Sequence, residues 1–240
     1  MLGKKWLKLI KSLHQKKYRN HHGLFFVEGK KSVEELIKAD FKLVKLITVA
    51  NYDHFIKDVE IEVVSELELK AISALKNPSG ILAVFEMPEQ GQFSFEDWVV
   101  VLDTVRDPGN LGTIIRLCDW YNVKTLVCSQ STVDLYNPKV LQATMGSIAR
   151  VNVLYTDLTT FLSGVDLPIY GAYMKGENCH QHVFPNGGIL VMGNEANGIS
   201  DEVGEIIDRR IAIPQFGHAT AESLNVAMAT GILMNEIRRA

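Results

Sequence analysis

The sequence predicts two α/β units in succession, the second built on a mostly parallel sheet. Two observations carry this. Short strand-like apolar runs alternate with segments whose apolar residues recur at helical spacing, the pattern of strands joined by crossover helices. The series is interrupted once, at residues 88–97 (PEQGQFSFED), where Pro, Gly, Gln and Ser gather as in a linker. A chain of 240 residues suits one large or two small domains. The expected division is therefore 1–90 and 91–240.

The first element is a basic helix with Trp6, Leu9, Ile10 and Leu13 on one stripe. LFFV reads as a strand, and KKSVEELIKA places Val33, Leu36 and Ile37 at helical spacing. LVKLITV and IEVV are strand-like. SELELKAISAL opens on Ser65 as N-cap, with Leu69, Ile72 and Leu75 on its apolar side. GILAVFEM closes the unit as a strand. Beyond the linker the strands are WVVVLD, TLVCS, RVNVLY, PIYGAY, GGILVMG and RIAIP, and helices follow most of them. There is no internal repeat and no low-complexity segment.

Composition narrows the function classes. Hydrophobic residues at 47% and charged residues at 22% are those of a globular protein. No apolar run approaches the roughly 18 residues of a membrane span. The basic N-terminus lacks the apolar core and cleavage site of a secretory signal. Cys118, Cys128 and Cys179 form neither a paired framework nor a CxxC, as expected of a reduced, cytoplasmic protein. The net charge of −3 divides into +3 over residues 1–90 and −6 over 91–240. Residues 1–31 alone carry nine Lys/Arg against Glu28. That end fits either a polyanion contact or a solvated amphipathic helix.

Three strand-end loops stand out in the second unit. In VLDTVRDPGNLGTIIR, Asp107-Pro108-Gly109-Asn110 suits a tight turn. Either Asn110 caps a helix starting at Leu111, or Asp107 caps one with Pro108 in its first position. Gly112 permits close approach of a backbone or ligand. The turn lies past the carboxyl end of a strand, where open α/β sheets bind ligands. Leu111, Ile114, Ile115 and Cys118 make the buried stripe, and Arg116 points off it. Its ordinary reading is an exposed ion pair with Asp119. The second loop, GGILVMGNEANGIS, places Gly193, Asn194 and Glu195 at a strand end and Ser200 as cap of DEVGEII. The third, IAIPQFGHATAESLNVAMATGIL, leads from Pro214 into a helix, apolar nearly all round, that must be buried in the core or against a partner. Ser223 there is a candidate N-cap, and His218 is a lone loop histidine. No P-loop and no GxGxxG occurs. The Cys179-His180-Gln181-His182 cluster lacks a fourth ligand at familiar metal spacing.

Taken together and in order, DPGNLGTIIR, VMGNEANGIS and IPQFGHATAESLNVAMATGIL resemble the SpoU/TrmH-type branch of the SPOUT RNA methyltransferases. QKKYRNHHGLFFVEGKKSVEEL resembles the L30e-like substrate-binding domain that often precedes it. The resemblance implies a parallel-sheet domain with a C-terminal trefoil knot, a homodimer, and S-adenosylmethionine as methyl donor. It implies 2′-O-ribose methylation of rRNA or tRNA. By position, Asn110, Arg116, Glu195, Ser223 and Asn225 take the family's polar active-site places, and Gly193, Ile213 and Leu224 its cofactor-contacting places. Asp107 stands where many relatives have Asn, and Ala196 where the loop often has Gly. Two rivals remain in view. One is a catalytically inactive RNA-binding protein of the same fold. The other is a small-molecule enzyme on a doubly wound sheet, which the missing phosphate fingerprints disfavour. No metal and no membrane are expected.

Overall fold

The computed structural model of the chain describes residues 2–49, 61–89, 93, 95–217 and 222–239. The expected linker at 88–97 lies partly outside them. The chain forms two compact units, one holding the residues up to 89 together with Asp134–Ala149, the other holding the remainder. The stretch 134–149 was expected in the second unit but packs with the first.

In the first unit the elements are α1 (Lys4–Ser12), α2 (Lys16–His22), β1 (Leu24–Glu28), α3 (Lys30–Lys38), β2 (Leu43–Thr48), β3 (Ile61–Val63), α4 (Glu66–Ile72) and β4 (Ile81–Glu86). Among the described residues they form a four-stranded sheet ordered β1-β4-β2-β3. β4 runs antiparallel to β1 and β2, and β3 runs parallel to β2. Ile10 and Leu13 are fully buried beside Phe26, Ile47 and Leu69, so the apolar stripe read from the sequence seats α1. Ser65 caps α4 in a capping box with Glu68. The helix stops at Ile72, short of the expected Leu75.

Arg19 and residues 134–149 explain the unexpected packing. The Arg19 guanidinium is buried, donates to the Leu13 carbonyl at 2.8 Å, and pairs with Asp134 at 2.5 Å. Phe25 packs on Tyr136 with ring centroids 4.7 Å apart. α6 (Pro138–Thr144) and the 3₁₀ turn Ser147–Ala149 follow. Losing one partner of a buried ion pair leaves the other charge uncompensated, at a cost of about 3–5 kcal/mol. Asp134→Ala should therefore lower the melting temperature by about 10 °C, since 1 kcal/mol shifts a chain of this size by about 2–4 °C. Asp134→Asn, which keeps an acceptor, should lose less. Calorimetric melts that leave both variants at the wild-type temperature would assign the pair no stabilising role.

The second unit carries all six strands expected from the sequence: β5 (Trp98–Leu102), β6 (Thr125–Ser129), β7 (Asn152–Thr156), β8 (Ile169–Asn178), β9 (Gly188–Met192) and β10 (Arg209–Ala212). Its helices are α5 (Pro108–Trp120), α7 (Leu158–Ser163), α8 (Asp201–Gly204) and α9 (Val226–Arg239). The six strands form one parallel sheet ordered β10-β8-β9-β5-β6-β7. From β5 the chain winds outward through β6 and β7, then returns to the other side through β8 and β9. The switch point falls between β5 and β9, and the loops after those two strands open at their carboxyl ends. Val99 and Val101 pack with Ile189, Val191, Leu158 and Val203 on one face. Each such fully buried side chain contributes roughly 1.5–3 kcal/mol.

α9 packs against α5. Its buried side includes Val226, Thr230, Leu233 and Ile237, while Met228 is 63% exposed. At its far end Arg238 makes a two-pronged ion pair with Asp97 and donates to the Tyr121 carbonyl. Cys118, Cys128 and Cys179 are free and buried. Among the described residues no helix is long and apolar enough to cross a membrane.

Candidate active site

The turn after β5 resolves the two registers left open by its sequence. Asp107 is the N-cap of α5, its Oδ1 accepting the Asn110 N–H at 2.8 Å, with Pro108 in the first helical position. Asn110 thus lies inside the first turn and its side chain is released from capping. The third loop is corrected likewise. Asn225 rather than Ser223 caps α9, its Oδ1 accepting the N–H groups of Ala227 and Met228 at 3.0 and 3.2 Å. In the second loop, Ser200 precedes α8 without a side-chain cap bond.

These side chains form a relay. Asn110 Nδ2 donates to Glu195 Oε1 at 3.0 Å, and Asn225 Nδ2 donates to Asn110 Oδ1 at 2.8 Å. A carboxylate only accepts, so Asn110 must present its NH₂ to Glu195 and its oxygen to Asn225. Asn225 must then present its oxygen to the helix N–H groups. One polarity runs from Glu195 through both amides to the backbone of α9, and it ties the three loops together.

Glu195 also accepts the main-chain N–H of Asp107 at 3.2 Å and, more weakly, that of Arg106 at 3.4 Å. Partial burial pushes its pKa up. The Asn110 amide and the main-chain N–H groups of Glu195, Asp107 and Arg106 outweigh that and hold it below the ordinary 4.5. A carboxylate with four hydrogen-bond donors and a lowered pKa is a poor proton acceptor at neutral pH. Its work is to hold the loops. In the unfolded chain the group titrates at its ordinary value, so the stabilisation is complete above pH 4.5 and disappears as pH falls through the lower folded value. The difference in melting temperature between wild type and Glu195→Gln should therefore be constant from pH 8 to about 5.5 and shrink below about 4.5. A difference that grows towards acid would contradict the assignment.

Two residues that sequence reasoning passed over hold the second loop. Asp103, at the end of β5, is buried and accepts the Ser200 N–H at 2.7 Å. Thr104, at φ +61°, offers its carbonyl to Asn194 Nδ2 at 2.7 Å. The available signal was an acid directly after a fully apolar strand, because buried carboxylates persist only with partners. Asn194 Oδ1 in turn accepts the N–H groups of Ala196 and Asn197. Gly193 stands where a Cβ would lie 2.2 Å from Gly198 C and Ile199 N. Ala196 is in an exposed turn whose left-handed residue is Gly198, at φ +72°, so the departure at 196 meets no conformational demand.

The remaining expected residues divide. Ile213 is half-buried just past β10, while Ser223 and Leu224 are exposed directly before Asn225. His218 lies outside the described residues. Arg116 does not join the relay of its own chain. It sits six residues beyond Asn110 on α5, about 9 Å along the axis and about 240° around it. It is exposed, and among the described residues it has no ion-pair partner. The expected pair with Asp119 is absent because Arg150 takes that carboxylate in a two-pronged bond at 2.8–3.0 Å. His180 pairs with Glu236, and His182 with Glu177.

A parallel sheet with three polar loops tied together beyond its strand ends defines a ligand-binding α/β protein, and the comparisons with known proteins say of which kind. A family model described as the SpoU rRNA Methylase family matches residues 97–235, and one described as the MRM3-like substrate binding domain matches residues 4–83. The chain belongs to the SpoU rRNA methylase family. It is 32% identical over 236 residues to the 23S rRNA (guanosine(2553)-2′-O)-methyltransferase RlmP of Bacillus subtilis, a match covering 95% of this chain and 94% of that protein. A protein of the TrmH family from Porphyromonas gingivalis superposes with a TM-score of 0.91 at 36% identity, over 100% of this chain and 99% of that one. An AdoMet-bound rRNA methyltransferase from Sinorhizobium meliloti superposes with a TM-score of 0.88 at 28% identity, over 100% and 96%.

Proposed function

We propose that the chain transfers a methyl group from S-adenosylmethionine to a ribose 2′-hydroxyl of ribosomal RNA. The observation that carries this is the Glu195–Asn110–Asn225 relay, which draws together the three loops of a SpoU-family chain at the carboxyl ends of its parallel strands. In this reading residues 1–90 form the RNA-substrate-binding domain and 91–240 the catalytic domain.

The residues fit the donor. Gly193 has no side chain, Ile213 is half-buried just past β10, and Leu224 is 51% exposed, so the ends of the second and third loops offer apolar groups of the kind an adenine packs against. When bound, S-adenosylmethionine supplies a methyl group on a sulfonium, already a strong electrophile. The chain's task is therefore the acceptor, a hydroxyl that is neutral at pH 7. Holding it in line can contribute about 7–11 kcal/mol. Glu195, Asn110 and Asn225 keep the loops in the arrangement that does so, and Ser223 is exposed to contact the ribose. Arg116 stays protonated and is not a base. It grips the adjacent phosphate with two parallel N–H bonds and stabilises developing alkoxide charge.

Arg116 is exposed and makes no bond to the relay of its own chain, and in this reading it serves the site of a second copy. The homodimer is supported by an open groove of about 360 Å³ between α5 and α9, lined mainly by apolar groups, among them Leu117, Tyr121, Met228 and Ile232, with Thr113 and Asn235 as its polar members. That apolar surface suits a helix pair from an identical chain. Threading of the C-terminal segment into a trefoil knot belongs to the same reading and rests on the chain's membership of the SpoU family. Three buried free thiols support a reducing, cytoplasmic setting.

The test is methyl transfer from labelled donor to unmodified 23S rRNA, with the modified nucleotide mapped by its resistance to alkaline cleavage. Label on a base, or none in RNA, would refute the assignment.

A further inference from the structure

We propose that α2 is an RNA-reading face. Its lysines hold phosphates, and the ridge of Tyr18, His21 and His22 receives an unpaired base of the substrate. This rests on the reading of the chain as an rRNA methyltransferase and says which surface selects the RNA.

The first observation is how α2 is held. Its sequence, KKYRNHH, contains no aliphatic residue, and a seven-residue helix that is polar all round does not persist alone in water. Arg19 is its buried residue. The guanidinium points inward to the Leu13 carbonyl and Asp134, and Gly23 in the left-handed conformation ends the helix. The other six side chains contribute nothing to that anchoring. Lys16, Lys17, Tyr18, Asn20, His21 and His22 are all exposed.

The second observation is charge. Residues 2–31 carry eight exposed lysines: 4, 5, 8, 11, 16, 17, 30 and 31. Their single carboxylate, Glu28, is buried and accepts from the Ser73 hydroxyl and the Ala74 N–H. The surface of this segment thus presents cationic and aromatic groups and no acid, which is complementary to a phosphate backbone.

The third is spacing. Tyr18, His21 and His22 stand at i, i+3 and i+4, so they share one face of the helix. The two histidine rings meet edge to face at 4.8 Å, and the Lys17 ammonium lies 5.9 Å from the Tyr18 ring centre. Flat rings flanked by ammonium groups are what a splayed-out base needs, whereas bases in a duplex are already stacked on each other. The arrangement selects an RNA loop or bulge over a continuous helix.

The test uses the full chain and an unmodified 23S rRNA transcript, with RNA affinity measured at several salt concentrations and donor affinity measured separately. Lys16→Glu with Lys17→Glu should weaken RNA binding at least tenfold and reduce the slope of log affinity against log salt by about 1.5. Tyr18→Ala should weaken binding about tenfold with the slope unchanged, and Tyr18→Phe should restore it. All variants should keep wild-type melting and donor affinity, because these side chains are exposed and α2 lies outside the donor loops. RNA affinities within twofold of wild type, in a chain that still methylates the transcript, would overturn the role of α2 and leave the enzyme assignment standing. A wild-type chain that neither binds nor methylates RNA would overturn both. An equal loss on duplex DNA after Tyr18→Ala would overturn the base-reading role.

Discussion

Gly193→Ala should weaken donor binding at least tenfold and lower the melting temperature by about 5 °C. The reason is a collision between main-chain segments. A Cβ at 193 would lie 2.2 Å from both Gly198 C and Ile199 N. Neither atom belongs to a side chain that could rotate away. The loop is also closed on itself, because Asn194 and Gly198 exchange N–H···O bonds of 2.8 and 2.9 Å. Making room means opening that pair or displacing the end of β9, and overpacking of this kind costs about 1–3 kcal/mol. A shift at 193 also carries Asn194 and Glu195, which hold the Thr104 carbonyl and the Asn110 amide. Isothermal titration with S-adenosylmethionine and a thermal melt read the two effects. Wild-type donor affinity in the alanine variant would show that this close approach lies outside the donor site.

Arg116→Ala should reduce the methyl-transfer rate by at least a hundredfold while leaving donor affinity intact. Arg116→Lys should recover little, because an ammonium cannot make two parallel bonds to one phosphate. A near-wild-type kcat in the lysine variant would mean that charge alone suffices. Mixing Arg116→Ala with Asn225→Ala subunits separates action on the own chain from action on a partner's. If each site takes its arginine from the other copy, a mixed dimer has one site with both residues intact. Random exchange should then restore about a quarter of the wild-type rate from two nearly inactive proteins. No recovery after confirmed subunit exchange would place Arg116 in the site of its own chain.

The sheet of the second unit was legible because its strands are short, apolar and separated by turn residues, and all six fall where the pattern puts them. Ser65 and its helix were legible because a capping box is local chemistry. The caps at 107 and 225 were harder. Asp107 and Asn110 can each cap, as can Ser223 and Asn225, and the choice depends on which side chain is needed elsewhere. Asn110 is drawn to Glu195, 85 residues away, and no local pattern records that attraction. Arg116 and Asp119 form a good helical pair by spacing alone, but a two-pronged bond from Arg150 outcompetes it from 31 residues away. The packing of residues 134–149 was hidden for a similar reason. Its determinant is the direction of one guanidinium, and in the sequence Arg19 is one basic residue among nine. Asp103 was visible only as the end of a strand, its role set by a loop 97 residues later.

The three thiols have a practical consequence. Burial pushes Cys118 up to about 12, and it raises Cys128 and Cys179 as well. Buried as they are, none of them presents its sulfur to a maleimide or a spin-label reagent in the folded chain. The native cysteines can therefore stay in place while one new cysteine is introduced at an exposed position such as Ser163, at the end of α7 and outside the groove between α5 and α9. Every probe attached would report from that position, so distances between labelled copies could be measured without first stripping the protein of its own sulfur.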